Sequence, residues 1–277
     1  MPTYPYAALQ PKKIDALGIE TSYYEAGVFP EAAQNGRFTL LLHGMSTSAD
    51  SYRETFHELS DSFAFIAPDL PGFGYSAQTM PYTIPHLVEW LAAFCDAKGL
   101  QQVDIVGHSF GGLLAASFAL AYPEWCRRLL LVAPALLDLD YPDFLLKAGI
   151  SLGLVDLGTA VTQSPLWINR QIRIPFYEPD KQDGSVWERR LHDYENARAT
   201  ADVVKTVTTN RIWQKIEGLR AETAVVWGEN DTVLPISNLD TLQAKLPQAQ
   251  VYRLTDCGHA PMLEQQAAFQ TIMRDFF

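Results

Sequence analysis

One serine of the chain has the setting of a catalytic nucleophile. The stretch VGHSFGG, residues 106–112, places Ser109 between Gly107 and Gly111, directly after an apolar run. A G-x-S-x-G pattern between a strand and a helix forms a sharp turn that lifts the serine hydroxyl out of the sheet. The two glycines lack the Cβ atoms that would collide in such a turn. Ser109 is therefore the candidate nucleophile.

A serine hydroxyl attacks only when a base removes its proton, and histidine is the usual base. His259, in the segment DCGHAP, follows the last predicted strand, from where a loop could reach Ser109. His43 and His108 lie in the loop segments HG and GHS, and their positions favour support of loop geometry over the role of base. The other three histidines fall within predicted helices, where a surface or partly buried position is usual: His57, His86 and His192.

The histidine in turn needs a carboxylate that fixes its tautomer. Asp231 follows the predicted strand 223–228 by three residues, in a turn closed by Pro235, and Glu229 lies in the same loop. Asp138, beyond an earlier strand, offers another approach to the histidine. We favour Asp231 because its loop is compact, whereas Asp138 opens a variable segment. The alternative interpretation is that Asp231 only makes an Asx turn before a helix.

These candidates are positioned by short apolar runs that alternate with helical patterns. The predicted strands are two around Gly18 within 14–26, then FTLLL at 38, FAFIAPDL at 63, VDIVG at 103, RLLLVA at 128, TAVVWG at 223 and QVYRLT at 250. The predicted helices cover about 51–59, 84–98 and 113–122, a stretch after Pro235 and a closing stretch from Pro261. Nearly continuous apolar strands between helices predict a parallel sheet covered on both faces.

The alternation stops between residues 136 and 217. This section has no clear strand, carries four prolines and three tryptophans, and has a mainly helical pattern. Because the sheet needs the strands on both sides of it, we interpret the section as a helical cap or lid. The predicted organisation is therefore a core domain of residues 1–135 and 218–277 with a cap of residues 136–217.

Composition limits the partners that the protein can have. The formal net charge of −11 and the absence of a basic cluster argue against nucleic acid and anionic membranes, and favour a neutral or weakly polar small substrate. No signal peptide and no transmembrane span is expected, because no stretch reaches about 18 apolar residues. The three cysteines have no metal or disulfide spacing, which favours a cytoplasmic protein: Cys95, Cys126 and Cys257. The sequence carries no signal of oligomeric state.

Taken together, the spaced blocks of the chain resemble the α/β-hydrolase superfamily. The resemblance extends over HGM at 43, DLPGFGYS at 69, GHSFG at 107, GENDTVLP at 228 and GHAPMLEQ at 258. It implies a mostly parallel, eight-stranded sheet with helices on both faces and a helical cap. By position in these blocks, Ser109 matches the nucleophile, Asp231 the acid and His259 the base.

The resemblance also implies an oxyanion hole. Its amides would belong to Met45, after the HG pair, and to Phe110, after the nucleophile, and both residues would contact substrate. The loop from Asp69 to Ser76 is interpreted as structural, with Asp69 holding neighbouring backbone; direct contact with substrate is the alternative. No metal and no organic cofactor is expected.

The activity that this resemblance implies is hydrolysis of carboxylic esters through an acyl-enzyme on Ser109. Branches with an aspartate nucleophile, the dehalogenases and epoxide hydrolases, are excluded by the serine. Hydrolases of carbon–carbon bonds commonly have an HGxGPG loop and a tryptophan after the histidine, whereas this chain has HGMSTSAD and Ala260. That activity, a lactonase and a cofactor-free haloperoxidase remain alternatives, as does a ligand-binding receptor on the same fold.

The cap is expected to contribute apolar walls to a substrate pocket. Aromatic residues of a helical section can equally form its own core. The candidates are Trp167, Phe176, Tyr177 and Trp187 in the cap, with Met45, Phe110 and Met262 near the nucleophile. Arg170 and Arg173 could bind a carboxylate, although solvation is the expected state of isolated arginines.

Overall fold

An eight-stranded sheet forms the centre of the computed structural model, which describes residues 10–28, 38–136, 148–162, 164 and 167–277. Asp138, the alternative carboxylate, lies outside the described residues. The strands are β1 (Lys12–Ala16), β2 (Ile19–Gly27), β3 (Phe38–Leu42), β4 (Ala64–Pro68), β5 (Val103–His108), β6 (Cys126–Val132), β7 (Glu222–Gly228) and β8 (Gln250–Leu254). Their spatial order is β1-β2-β4-β3-β5-β6-β7-β8. The β1–β2 and β2–β4 pairs are antiparallel and the other five pairs are parallel, so the predicted mostly parallel sheet is confirmed.

Helices follow most of the strands, as the alternation predicts. Before the cap segment they are α1 (Arg53–Leu59), α2 (Ile84–Ala97) and α3 (Phe110–Ala121); between β6 and β7 they include α4 (Leu154–Thr162), α5 (Ile168–Gln171), α6 (Gly184–Glu195) and α7 (Thr200–Thr209). After β7 come α8 (Ser237–Lys245), α9 (Pro261–Glu264) and α10 (Gln266–Phe276). The prediction of one closing helix from Pro261 is wrong: the backbone of Gln265, at φ −125° and ψ 53°, leaves the helical region and divides it in two.

The sheet is covered on both faces, because its central strands β3, β4 and β5 are mostly apolar and are buried along almost their whole length. Successive residues of a strand point to opposite faces, and accordingly Leu40 and Leu42 of β3 belong to one core cluster while Leu41 belongs to another. The first cluster includes side chains of α2 and α3, and the second includes side chains of α1 and α10. Helices therefore cover both faces, as predicted.

The section between β6 and β7 leaves and re-enters the sheet at adjacent strands. β6 and β7 pair in parallel, with Leu131 opposite Val225. We call the described residues 148–162, 164 and 167–218 the insertion; every regular element in them is helical. Within the part of the chain that the structure describes, no helix has the length and apolar character needed to cross a membrane.

Candidate active site

Ser109 lies at the junction of β5 and α3, where the sequence places it. Its backbone has φ 51° and ψ −114°, a positive φ that non-glycine residues rarely adopt. One neighbouring segment, at the end of β6 and just after it, holds this conformation: the amide of Ser109 donates to the carbonyl of Val132 at 2.9 Å, and its carbonyl accepts from the amide of Ala135 at 2.9 Å. The strained turn is thus maintained by hydrogen bonds to the end of β6.

The glycines around Ser109 permit backbone segments to approach each other closely. A Cβ atom on Gly107 would lie 2.6 Å from the carbonyl oxygen of Gly111, and one on Gly111 would lie 2.3 Å from that of Leu42. Real Cβ atoms do not approach backbone oxygens so closely. Glycine is therefore required at 107 by the close approach of α3, and at 111 by the packing of the elbow against the end of β3.

Asp231 and His259 form a buried hydrogen-bonded pair. Oδ2 of Asp231 lies 2.7 Å from Nδ1 of His259. A carboxylate can only accept, so Nδ1 carries the ring proton and Nε2 retains a lone pair. The other carboxylate oxygen, Oδ1, accepts the amides of Val233 and Leu234 at 2.8 Å each. The Asx turn and the pairing with histidine therefore coexist in one side chain.

The alternative carboxylate and bases have other environments. Glu229 is exposed. His43 is buried, with Nδ1 donating to the carbonyl of Gly44 and Nε2 accepting the amide of Leu70, both at 2.8 Å. Burial lowers the pKa of His43 to about 4. His57 and His86 lie on α1 and α2, and His192 lies on α6.

The segment of Met45 passes against the nucleophile turn. A Cβ atom on Gly44 would lie 3.2 Å from the Cβ of Ser109 and 2.9 Å from Nδ1 of His108. The amides of Met45 and Phe110 find no acceptor among the described residues; for Phe110 the reason is its position as the first residue of α3, where amides have no partner within the helix. Two free donors thus lie on adjoining segments beside Ser109.

This arrangement of strand, serine turn and histidine–aspartate pair is matched by a family model. The model for the alpha/beta hydrolase fold matches residues 40–266. The chain is an α/β hydrolase.

Known proteins similar to this hydrolase fall into more than one class. The 2-hydroxy-6-oxo-2,4-heptadienoate hydrolase of Pseudomonas putida is 27% identical, over 94% of each chain. Lipase 3 of a Moraxella species is 28% identical, over 83% of this chain and 73% of the lipase. The solved structure of a putative lipase of Acinetobacter baumannii has a TM-score of 0.79 at 24% identity, covering 98% of this hydrolase and 91% of the lipase. These similarities do not determine which kind of bond this hydrolase cleaves.

In this hydrolase the loop from Asp69 to Ser76 has the contacts of a structural loop. The carboxylate of Asp69 accepts the amides of Ala49 at 2.9 Å and Tyr75 at 3.0 Å, and its carbonyl accepts the hydroxyl of Ser76 at 2.7 Å. Gly74 has φ 50°, and a Cβ there would lie 2.3 Å from that carboxylate. The loop is thus organised around one buried carboxylate, as the structural interpretation requires.

The predicted pocket residues divide into buried and exposed ones. Phe176 and Met262 are buried members of the second core cluster, and Trp187 packs edge-on against Phe176 with ring centroids 5.0 Å apart. Trp167 and Tyr177 are exposed. Arg173 is partly exposed, and its guanidinium pairs with the exposed Asp180 at 2.9 Å and lies 4.6 Å from the ring centroid of Trp187. Arg170 stands near Trp167.

Sequence reasoning overlooked two charged residues beside this site. Glu264 lies five positions after His259, within the block GHAPMLEQ that the resemblance already includes, so its spacing was an available signal. Arg190 lies on α6 in the segment WERRLHDYE, where nothing distinguishes it from a surface arginine. In the structure Arg190 is buried, and its Nε has no hydrogen-bond partner among the described residues.

Proposed function

We propose that this α/β hydrolase cleaves carboxylic esters, with Ser109 as nucleophile, His259 as base and Asp231 as the residue that orients the base. The observation that carries the proposal is the 2.7 Å hydrogen bond from Nδ1 of His259 to Asp231. It leaves Nε2 as the proton acceptor that a serine nucleophile needs. Their positions after β7 and β8, at the same sheet edge as Ser109 after β5, support the assignment.

The proposed reaction has two steps. Oγ of Ser109 attacks the acyl carbonyl carbon while Nε2 of His259 takes its proton, and the imidazolium then protonates the departing alcohol. Water, deprotonated by His259, releases the acid from the acyl-enzyme. The amides of Met45 and Phe110 are proposed to bind the oxyanion; one such donor contributes about 3 to 4 kcal/mol to transition-state stabilisation.

The test measures turnover of a short-chain aryl ester and covalent labelling by a fluorophosphonate probe. Wild type should do both, Ser109→Ala neither, and His259→Ala should lose most of each. Ser117→Ala and His57→Ala are matched controls, since Ser117 only donates to the carbonyl of Leu113 and His57 is exposed on α1. Absence of both turnover and labelling in wild type would remove the proposal. Ligand-dependent partner binding that survives Ser109→Ala would support a receptor instead.

A carbon–carbon bond hydrolase is the second candidate, and Arg190 is the observation that favours it. Burial lowers the pKa of Arg190; the pKa of His108, the neighbour of Ser109, is lowered by burial first, then by the charge of His259 and less by that of Arg190. A buried guanidinium with an unpaired Nε suits a substrate that carries a carboxylate. Two relatives are named as hydrolases of 2-hydroxy-6-oxo-2,4-heptadienoate and of 2-hydroxymuconate semialdehyde. Both names denote substrates that carry a carboxylate.

The two candidates differ in the substrate that should be preferred. We would compare neutral aryl esters, esters of a dicarboxylic acid and a 2-hydroxy-6-oxo-2,4-dienoate as substrates of wild type and Arg190→Gln. The second candidate requires cleavage of the dienoate, and a KM for it that Arg190→Gln raises without affecting neutral esters. No turnover of the dienoate at any concentration would leave ester hydrolysis as the function.

A further inference from the structure

The loop that carries His259 has no regular secondary structure, yet its three successive amides all donate hydrogen bonds. The amides of Gly258 and Ala260 donate to the carboxylate of Glu264 at 3.0 Å and 3.1 Å. The amide of His259 donates to the carbonyl of Pro175 in the insertion at 2.6 Å. Since unpaired buried amides are costly, these acceptors determine the conformation of the loop.

The same carboxylate also binds the insertion. Glu264 accepts the amide of Tyr177 at 2.7 Å. On the neighbouring loop, the hydroxyl of Thr232, one residue after Asp231, donates to the carbonyl of Ile174 at 3.1 Å. The segment Ile174–Tyr177 is thus hydrogen-bonded to the loop of the acid, to the loop of the base and to Glu264.

The backbone of this segment packs directly against the backbone of the histidine loop. A Cβ atom on Gly258 would lie 2.5 Å from the carbonyl oxygen of Pro175 and 2.8 Å from the amide nitrogen of Tyr177. Phe176, between these two residues, is buried in the second core cluster. The segment is therefore anchored by both a side chain in the core and a row of backbone hydrogen bonds.

We propose that Glu264 is a positioning residue for His259, and that the segment Ile174–Tyr177 helps to hold the loop of His259 in place. The inference rests on the proposed function, because it takes His259 as the base. Glu264 acts through the loop backbone, holding the imidazole at the depth and angle that its bond to Asp231 requires. A functional side chain is held this precisely when packing and supporting hydrogen bonds fix the residues around it.

A carboxylate suits this position better than an amide. Its two oxygens offer about four lone-pair sites, enough for the amides of Gly258, Ala260 and Tyr177 together, and a charged acceptor binds them more strongly. Glutamine has one oxygen, and its NH₂ group would face at least one amide. Alanine would leave all three amides without their acceptor. The two substitutions should therefore be graded in effect.

The experiment compares kcat and KM for a neutral aryl ester among wild type, Glu264→Gln and Glu264→Ala, with thermal midpoints measured in parallel. We expect kcat to fall by about 10-fold in Glu264→Gln and about 100-fold in Glu264→Ala, with KM changed by less than about threefold, because a displaced base impairs the chemical step. Formate is a carboxylate small enough to occupy the space that the glutamate side chain leaves in Glu264→Ala, and it should partly restore the kcat of this variant.

The matched control is Glu54→Gln. Glu54 on α1 pairs with Arg189 on α6 at 2.6 Å, so it also joins the core to the insertion, whereas the amides of Gly258, Ala260 and Tyr177 donate to Glu264. This variant should keep the wild-type kcat even where its thermal midpoint falls. A wild-type kcat in Glu264→Gln, or equal kcat losses in Glu54→Gln and Glu264→Gln, would overturn the positioning role.

Failure of the proposed function has a different signature. If His259→Ala retains turnover, the assignment of the base is wrong, whatever the Glu264 variants do. If His259→Ala is inactive while Glu264→Gln and Glu264→Ala are fully active, only the positioning role is wrong. Should Glu264→Ala not fold, Glu264→Gln conserves the size of the side chain and carries the test by itself.

Discussion

Nε2 of His108 donates a hydrogen bond of 2.8 Å to the backbone carbonyl of His259, so the residue before the nucleophile holds the loop of the base. A carbonyl only accepts, which assigns the ring proton of His108 to Nε2. The two rings lie 4.9 Å apart. Burial first, and then the charge of His259, lower the pKa of His108 well below its usual value. The ring is therefore a neutral structural donor at the centre of the site.

His108→Phe should lower both stability and activity. The change removes the donor and leaves the buried carbonyl of His259 unpaired, which costs about 1 to 3 kcal/mol in the free energy of unfolding. Urea unfolding and kcat for an aryl ester check this expectation. His108→Gln keeps a side-chain N–H donor and should lose less of both; equal losses in the two variants would contradict the role of the hydrogen bond.

Asp231→Asn should separate catalysis from folding. Asparagine retains the oxygen that accepts the amides of Val233 and Leu234, but it presents an NH₂ donor to Nδ1 of His259. The histidine then takes the wrong tautomer, and kcat should fall by about 10⁴-fold with little change in unfolding free energy. Asp231→Ala should lose activity and stability together. A kcat of Asp231→Asn near that of wild type would exclude the assigned pairing.

Ser109→Ala and His259→Ala should not have additive effects. Members of a proton-transfer unit fail together, so the double variant should be about as inactive as either single variant. The measurement is kcat/KM for the same ester, with the rate of the uncatalysed reaction as baseline. Two independent losses that multiply in the double variant would show that the residues do not act as one unit.

Gly111→Ala should be strongly destabilising. The new Cβ would lie 2.3 Å from the carbonyl oxygen of Leu42 and 2.5 Å from that of His43, both of them backbone atoms. We expect a loss of about 3 kcal/mol, measured by urea unfolding. The control is Gly158→Ala, on the exposed side of α4 with nothing within 4 Å, which should stabilise by up to about 1 kcal/mol. A tolerated Gly111→Ala would mean that the elbow does not pack as described.

Asp193 should make stability depend on pH. It lies on α6, accepts the hydroxyl of Ser48 at 2.7 Å, and has a pKa that burial raises to about 7. The folded state therefore holds a proton that the unfolded chain releases near pH 4, and the contribution to stability is fully present below about pH 4 and is lost as pH rises through about 7.

The substitution that tests this behaviour is Asp193→Asn, which mimics the neutral carboxyl. Its unfolding free energy relative to wild type should increase by about 2 kcal/mol between pH 5.5 and pH 8. Asp180→Asn, at an exposed position, serves as the control and should show no such trend. A constant difference between Asp193→Asn and wild type over this range would contradict the raised pKa.

The architecture and the main catalytic candidates were determined by the sequence alone. Apolar runs of strand length between helical patterns have few packings other than a covered parallel sheet. Ser109, Asp231 and His259 each follow such a run, and parallel strands end at one edge, so their location at the same edge of the sheet follows from the direction of the strands. The glycines at 107 and 111 also predict the sharp turn at Ser109, because only residues without a Cβ atom fit at these two positions.

Only the tertiary structure decided which groups bond across the site. His108 and His259 are 151 residues apart, and no local pattern predicts that one ring binds the carbonyl of the other. The links from Glu264 to the histidine loop and the insertion, and the burial of Arg190, likewise depend on how the insertion packs on the core. Periodicity predicts which face of an element is buried, but side-chain partners depend on the three-dimensional docking of distant segments.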